Sequence, residues 1–203
     1  MSELETTSLT VRIQSFAASL TEGQPLTARA LQAMGTRAGI DQALSRMARR
    51  GILMRISRGL YVLPRQTRFG SVPPEPAKVV EEIANARGFR VTRSGASAAN
   101  ELGLTRQVPI RQVFLTSGKS LRLQIGRQEV ELRHAPSWQL AYAGARTGAA
   151  LRALEWMGPA HVKSSVEHLK RMLPAAERRE MGTAIGGRMP RWMTAAVSQI
   201  ATS

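Results

Sequence analysis

The chain has 203 residues, 43% of them hydrophobic, enough for one large folded unit or two small ones. Its 29 Lys and Arg outweigh 14 Asp and Glu to leave a net charge of +15, which favours a polyanionic partner: nucleic acid first, an anionic membrane surface second. Cysteine is absent, which excludes disulfides, cysteine zinc sites and iron–sulfur clusters, and no apolar run approaches the length of a membrane span. All but four of the bases are arginine, the residue suited to bidentate phosphate and guanine contacts, although GC-rich codon usage produces the same bias. With acidic Glu3 and Glu5 in place of a basic leader, a soluble, cytoplasmic, bacterial protein is expected.

Residues before Ser8 look like a loose tail. Leu9, Ile13, Phe16, Ala17 and Leu20 then have helical spacing and predict a first helix over 9–20. Gly23-Gln24-Pro25 breaks it. Thr27 offers an N-cap for a second, short helix with Ala30, Leu31 and Met34 inward, ending at Gly35.

The stretch from Thr36 to Pro64 organises the chain. Thr36 can cap a helix that runs to Gly51, with Ile40, Ala43, Leu44 and Met47 forming a buried stripe at i, i+3, i+4, i+7. The opposite face carries Gln42, Ser45, Arg46 and Arg49. Two β-prone runs, 52–56 and 60–64, flank Ser57-Arg58-Gly59 and predict a hairpin with arginine at its tip. Helix, short helix, longer basic helix and hairpin is the order of a winged helix-turn-helix.

Phe69 to Pro76, with Gly70 and three prolines, looks like a linker. The expected division is therefore a DNA-binding winged helix over 1–68 and a second α+β domain over 69–203. The positive excess is not confined to the first part: residues 1–70 hold 10 bases and 4 acids, residues 71–203 hold 19 and 10. In the second part a helix is predicted over 77–86, a strand over 89–92, an alanine-rich helix over 95–102 and a strand over 113–116. Leu121, Leu123 and Ile125 alternate with polar residues, as do Val130 and Leu132, which argues an antiparallel hairpin about Gly126 with one wet face. From Ser137 onward the spacing of Leu151, Leu154, Met157, Val162, Val166, Leu169, Met181 and Ile185 is helical, and Pro159, Pro174 and Pro190 mark new helix starts.

A search for catalytic constellations yields none. Asp41 is the single aspartate, so the clustered carboxylates of two-metal nucleases and nucleotidyltransferases are missing. Glu81-Glu82 and Glu129/Glu131 suit solvated faces better than catalysis. His161 and His168 lack a third ligand, His134 is isolated, and Ser94-Gly95-Ala96-Ser97 lacks a nucleophile elbow. Gly118-Lys119-Ser120 lacks the leading glycine and following helix of a P-loop and suits a turn. Trp138, Trp156 and Trp192 are expected as core anchors. No enzyme activity, cofactor or metal is therefore expected.

The run from Gln42 to Tyr61, QALSRMARRGILMRISRGLY, resembles the winged helix of the AbiEi-like antitoxins and transcriptional regulators of bacteria, and Thr92 to Leu104 resembles the start of that family's second domain. The resemblance implies a repressor that binds inverted repeats in its own promoter and counteracts a nucleotidyltransferase-like toxin encoded beside it, with the second domain, 69–203, in the regulatory or antitoxin role. A stand-alone regulator, or an interaction module for which DNA binding is secondary, are the alternatives; RNA binding ranks last, since only nine aromatic residues are available for stacking. Gln42, Ser45 and Arg46 are expected at base edges. Arg37, Arg49, Arg55 and Arg58 are expected on phosphates or in the minor groove, with Thr36 and Arg50 counted in the same surface. The oligomeric state is not fixed by these residues.

Overall fold

The computed structural model describes residues 8–184 and 189–202; the predicted N-terminal tail and Ile185 lie outside the described residues. The fold is α+β, with small antiparallel sheets and a helical C-terminal part. Among the described residues no helix is long and apolar enough to cross a membrane. The chain forms two compact units, one comprising residues up to Gly88 together with Arg122–Val130, the other Phe89–Leu121 and the residues from Glu131 on. The expected boundary at 68/69 thus falls inside the first unit.

In the first unit α1 spans Leu9–Ala18, shorter than predicted because Ser19 closes it, its hydroxyl donating to the Phe16 carbonyl at 2.8 Å. The predicted second helix is a set of turns ending in one 3-10 turn, Gln32–Met34, entered where the Ala30 N–H meets the Thr27 hydroxyl at 3.2 Å. Ala28 and Leu31 point inward there, whereas Ala30 is exposed. Next comes α2, Arg37–Arg49, leading to β1, Met54–Ser57, and β2, Leu60–Val62. These strands pair antiparallel with an irregularity between Arg55 and Ser57. Leu26 adds a third edge, exchanging both backbone hydrogen bonds with Tyr61 at 2.7 and 3.0 Å. The order, with a 3-10 turn in place of the short second helix and a two-stranded sheet flanked by one bridge, is that of a winged helix. Ile13, Leu26, Leu31, Ile40, Leu44 and Met47 fill its core with no exposed surface, and truncating one such Leu or Ile to Ala costs about 2–5 kcal/mol.

The predicted linker is instead structured. β3, Arg65–Thr67, and β4, Gly70–Val72, form a second antiparallel hairpin, and α3, Pro76–Arg87, follows with Val79, Val80 and Ile83 buried. Pro76 opens α3 where a helix lacks a partner for the N–H that proline does not have.

The second unit holds β5, Val91–Arg93; α4, Gly95–Glu101; β6, Gln112–Thr116; and the outer ends of β7, Leu121–Ile125, and β8, Gln128–His134. The strands are ordered β5-β6-β8-β7. Ser94 caps α4, its oxygen accepting from the Ser97 N–H at 3.5 Å. The helices α5, Arg146–Met157; α6, Val162–Met172; α7, Ala175–Thr183; and α8, Arg191–Ala201, surround one core with α4. α4 lies so close to α5 that a Cβ on Gly95 would stand 2.5 Å from the Arg152 carbonyl oxygen. Trp138 and Trp192 pack against this core, while Trp156 is 41% exposed and not an anchor.

Candidate nucleic-acid interface

The sequence of α2 places its two faces unambiguously. Ile40, Ala43, Leu44 and Met47 are fully buried, so Gln42, Ser45, Arg46 and Arg49, which are spaced as i, i+3, i+4, i+7, stand together in solvent. Both ends of the helix are closed locally. Thr36 Oγ1 accepts from the Gly39 N–H at 3.2 Å, so this oxygen caps the helix while the residue remains exposed. At the other end Gly51 adopts φ +73° and its N–H meets the Ala48 carbonyl at 3.1 Å, while the Ile52 N–H reaches the Met47 carbonyl at 3.0 Å. This pair of bonds is a Schellman motif; it takes Ile52 out of the predicted first strand, so β1 starts two residues later.

The cations differ in how they are held. Arg37 Nε donates to Asp41 Oδ2 at 2.8 Å, an exposed i,i+4 pair in which the only aspartate of the chain is engaged. Arg46 and Arg49 lie in the last turn, where cations complement the helix dipole. Among the described residues Arg46, Arg49, Arg50 and Arg58 have no ion-pair partner. Arg55 projects from β1 and its Nε donates to the Ser57 carbonyl at 3.4 Å; Arg58 and Gly59 form the turn to β2. All nine residues predicted for the site are exposed and belong to α2, its caps and the first hairpin.

Sequence reasoning missed the second hairpin. Arg65 sits at its base, 3.4 Å from the Glu22 carboxylate, which also binds Lys78 Nζ at 2.8 Å. The hydrogen bond from Lys78 holds the Glu22 carboxyl below its ordinary pKa and raises that of Lys78. At the tip, Arg68 stacks on Phe69, 4.7 Å from the ring centroid. A polar Thr67-Arg68-Phe69-Gly70 turn between two short polar strands was the available signal; the three prolines beyond it obscured it.

In the second unit two of the three histidines, His134 and His168, have structural partners. His168 Nε2 lies 2.8 Å from the Leu102 carbonyl and His134 Nδ1 lies 2.9 Å from that of Gly118. Gly118-Lys119-Ser120 is a turn, with the Gly118 N–H bound to Thr116 Oγ1 at 3.0 Å. Among the described residues no three His, Asp or Glu side chains gather where an ion would be held. An open cavity of about 560 Å³ is lined by Val108, Pro109, Ile110 and Trp156.

An α+β protein whose first unit has winged-helix order, with a cationic helix face, an exposed arginine turn on the first hairpin and an exposed second hairpin, is the class these elements define. The chain belongs to a family of unknown function, DUF6088, whose model matches residues 12–181. The crystal structure of the RV2827C protein from Mycobacterium tuberculosis has a similar fold, with a TM-score of 0.50 and 16% identity over 97% of this chain and 81% of that one. No curated protein matches the chain.

Proposed function

We propose that this protein is a sequence-selective, duplex-DNA-binding repressor of the cytoplasm, and that it acts by binding rather than catalysis. The observation that carries the reading is the stripe of Gln42, Ser45, Arg46 and Arg49 on a helix locked at both ends, with unpaired arginines continuing onto the adjoining hairpin. An α-helix fits the major groove, where Arg pairs with guanine and Gln with adenine. Arg49, Arg50, Arg55 and Arg58 supply sequence-independent phosphate contacts.

The likeness of the 42–61 run to the AbiEi-like antitoxins supports a more specific role: repression of its own promoter through inverted repeats, paired with neutralisation of a nucleotidyltransferase-like toxin. The apolar groove of Val108, Pro109, Ile110 and Trp156 favours a protein partner for the second unit, since Ile110 is fully exposed and Val108 is 75% exposed.

Anisotropy titrations against the region upstream of its own gene and a scrambled duplex, at two salt concentrations, test the reading. Arg46→Ala should cost about 1–3 kcal/mol on the cognate duplex only, and Arg58→Ala should weaken both duplexes while lowering the salt slope by about 1. Equal, salt-fragile binding to both duplexes by the unmodified protein would leave charge alone as the cause and remove the repressor assignment. Co-purification with the product of the neighbouring gene tests the toxin arm.

A further inference from the structure

The hairpin of β3 and β4 buries nothing that would account for its order. Five of its six strand residues are exposed, and a two-stranded ribbon without a buried face is marginal in water. Local bonds hold it instead, with the Arg65–Glu22 ion pair at its base. Thr67 Oγ1 donates to the Gly70 carbonyl at 2.8 Å and accepts from the Phe69 N–H at 3.2 Å, Gly70 adopts φ +107°, and Gln66 Nε2 donates to Ser71 Oγ at 3.4 Å. The result is one apolar ring held out in water: Phe69 is 83% exposed, with Arg68 stacked on it.

Single exposed apolar side chains are ordinary on protein surfaces. This one stands at the apex of a braced ribbon that contains two arginines and no acid between Arg65 and Val72. A polyanion with a stacked apolar interior is the complementary partner, and base-paired DNA is that object. Proteins that bind the minor groove place cations along it and drive Phe, Leu, Ile, Met or Pro between base steps, kinking the duplex. The major groove admits a helix such as α2 or a whole two-stranded ribbon, whereas an apolar side chain wedged between base steps is a device of minor-groove binders.

We propose that Phe69 is a wedge that enters a base step from the minor groove, with Arg68 beside it on the flanking phosphate or groove edge. This rests on the duplex-binding function proposed for α2. Pyrimidine–purine steps unstack most easily, so the wedge adds a preference for TA or CA/TG at a position α2 does not touch.

The test uses the full chain and duplexes it enriches from a random pool, with 2-aminopurine placed at each such step. The wild-type protein should brighten one step on binding. Phe69→Ala should lose that signal and bind roughly tenfold more weakly, while Phe69→Leu, which keeps an apolar wedge, should retain both. Selective wild-type binding with no brightened step, or a Phe69→Ala protein that behaves as wild type, overturns the wedge and leaves duplex binding standing. Loss of the signal in Phe69→Leu as complete as in Phe69→Ala also overturns it. Failure to enrich any duplex removes both readings. Phe69-dependent binding to phosphatidylserine vesicles, with no effect on DNA, would assign the hairpin to a membrane surface instead.

Discussion

Replacing Asp41 by Asn should tighten DNA binding. Asp41 is the one acid on the exposed face of α2, and it holds Arg37 at 2.8 Å with the two side chains 51% and 73% exposed. An exposed i,i+4 pair stabilises a protein by about 0.3–0.5 kcal/mol, so folding should lose no more than that. On the complex, two effects act in the opposite direction. A carboxylate roughly 8 Å from a phosphate is repelled by about 0.5 kcal/mol in water, and this term disappears. Arg37, released from its partner, becomes available to a phosphate without the cost of breaking the pair, about another 0.3–0.5 kcal/mol. Together they come to about 1 kcal/mol, or roughly fivefold tighter binding. One further released counterion should steepen the salt dependence by about 0.9 in log–log slope. Anisotropy across a salt series measures both quantities, and a urea titration of the same variant separates binding from folding. Unchanged affinity and slope in a fully folded variant would mean that the first half of α2 does not face phosphates. Weaker binding would refute the reasoning differently, by showing that the Asp41 carboxylate itself accepts a hydrogen bond from a base.

Arg152 is only 3% exposed; its Nη1 donates to the Gln139 carbonyl at 3.2 Å, and its Nε has no partner among the described residues. Burial lowers its pKa from the ordinary arginine value to about 10, equivalent to about 3 kcal/mol against the charged form. Arg152→Met should therefore raise the unfolding free energy by about 1–3 kcal/mol near neutral pH. Because the unfolded state binds this proton more tightly, the deficit should shrink as pH rises through about 10, and urea midpoints of the two proteins across that range check the sign. Glu22 has the opposite linkage: its lowered pKa contributes stability above the ordinary 4.5 that is lost as pH falls below it. Glu22→Gln should remove that acid-side loss in thermal melts and loosen the base of the second hairpin, seen as faster amide exchange at Gln66 and Ser71.

Local order was legible wherever a single segment carried its own signal. The buried stripe of α2, the Thr36 cap, the Gly51 exit and the Arg58-Gly59 turn all arise from residues within a few positions of one another. So do the starts of α7 and α8 after Pro174 and Pro190, and the alternation along β7 and β8. Elements that depend on distant partners were not. Leu26 is an edge residue only because Tyr61, 35 positions on, pairs with it. Of the residues expected inward on the second helix, Leu31 is buried and Met34 half-buried but Ala30 is exposed, and only Gln32–Met34 is helical.

Net charge, the absence of cysteine, helix periodicity and the exposure of the nine candidate residues were determined by the sequence itself, because amphipathic spacing decides locally which side chains face solvent. Tertiary structure decided the rest: that 65–72 is a braced hairpin, that the first unit extends through α3 and takes in residues 122–130, and that Phe69 and part of Trp156 stay in water. The Gly126 N–H approaches Met54 Sδ at 3.3 Å, and a Cβ on Gly126 would stand 2.5 Å from Pro73. Such closeness depends on residues more than fifty positions apart, and burial between them is a property of the packed chain that no local window contains.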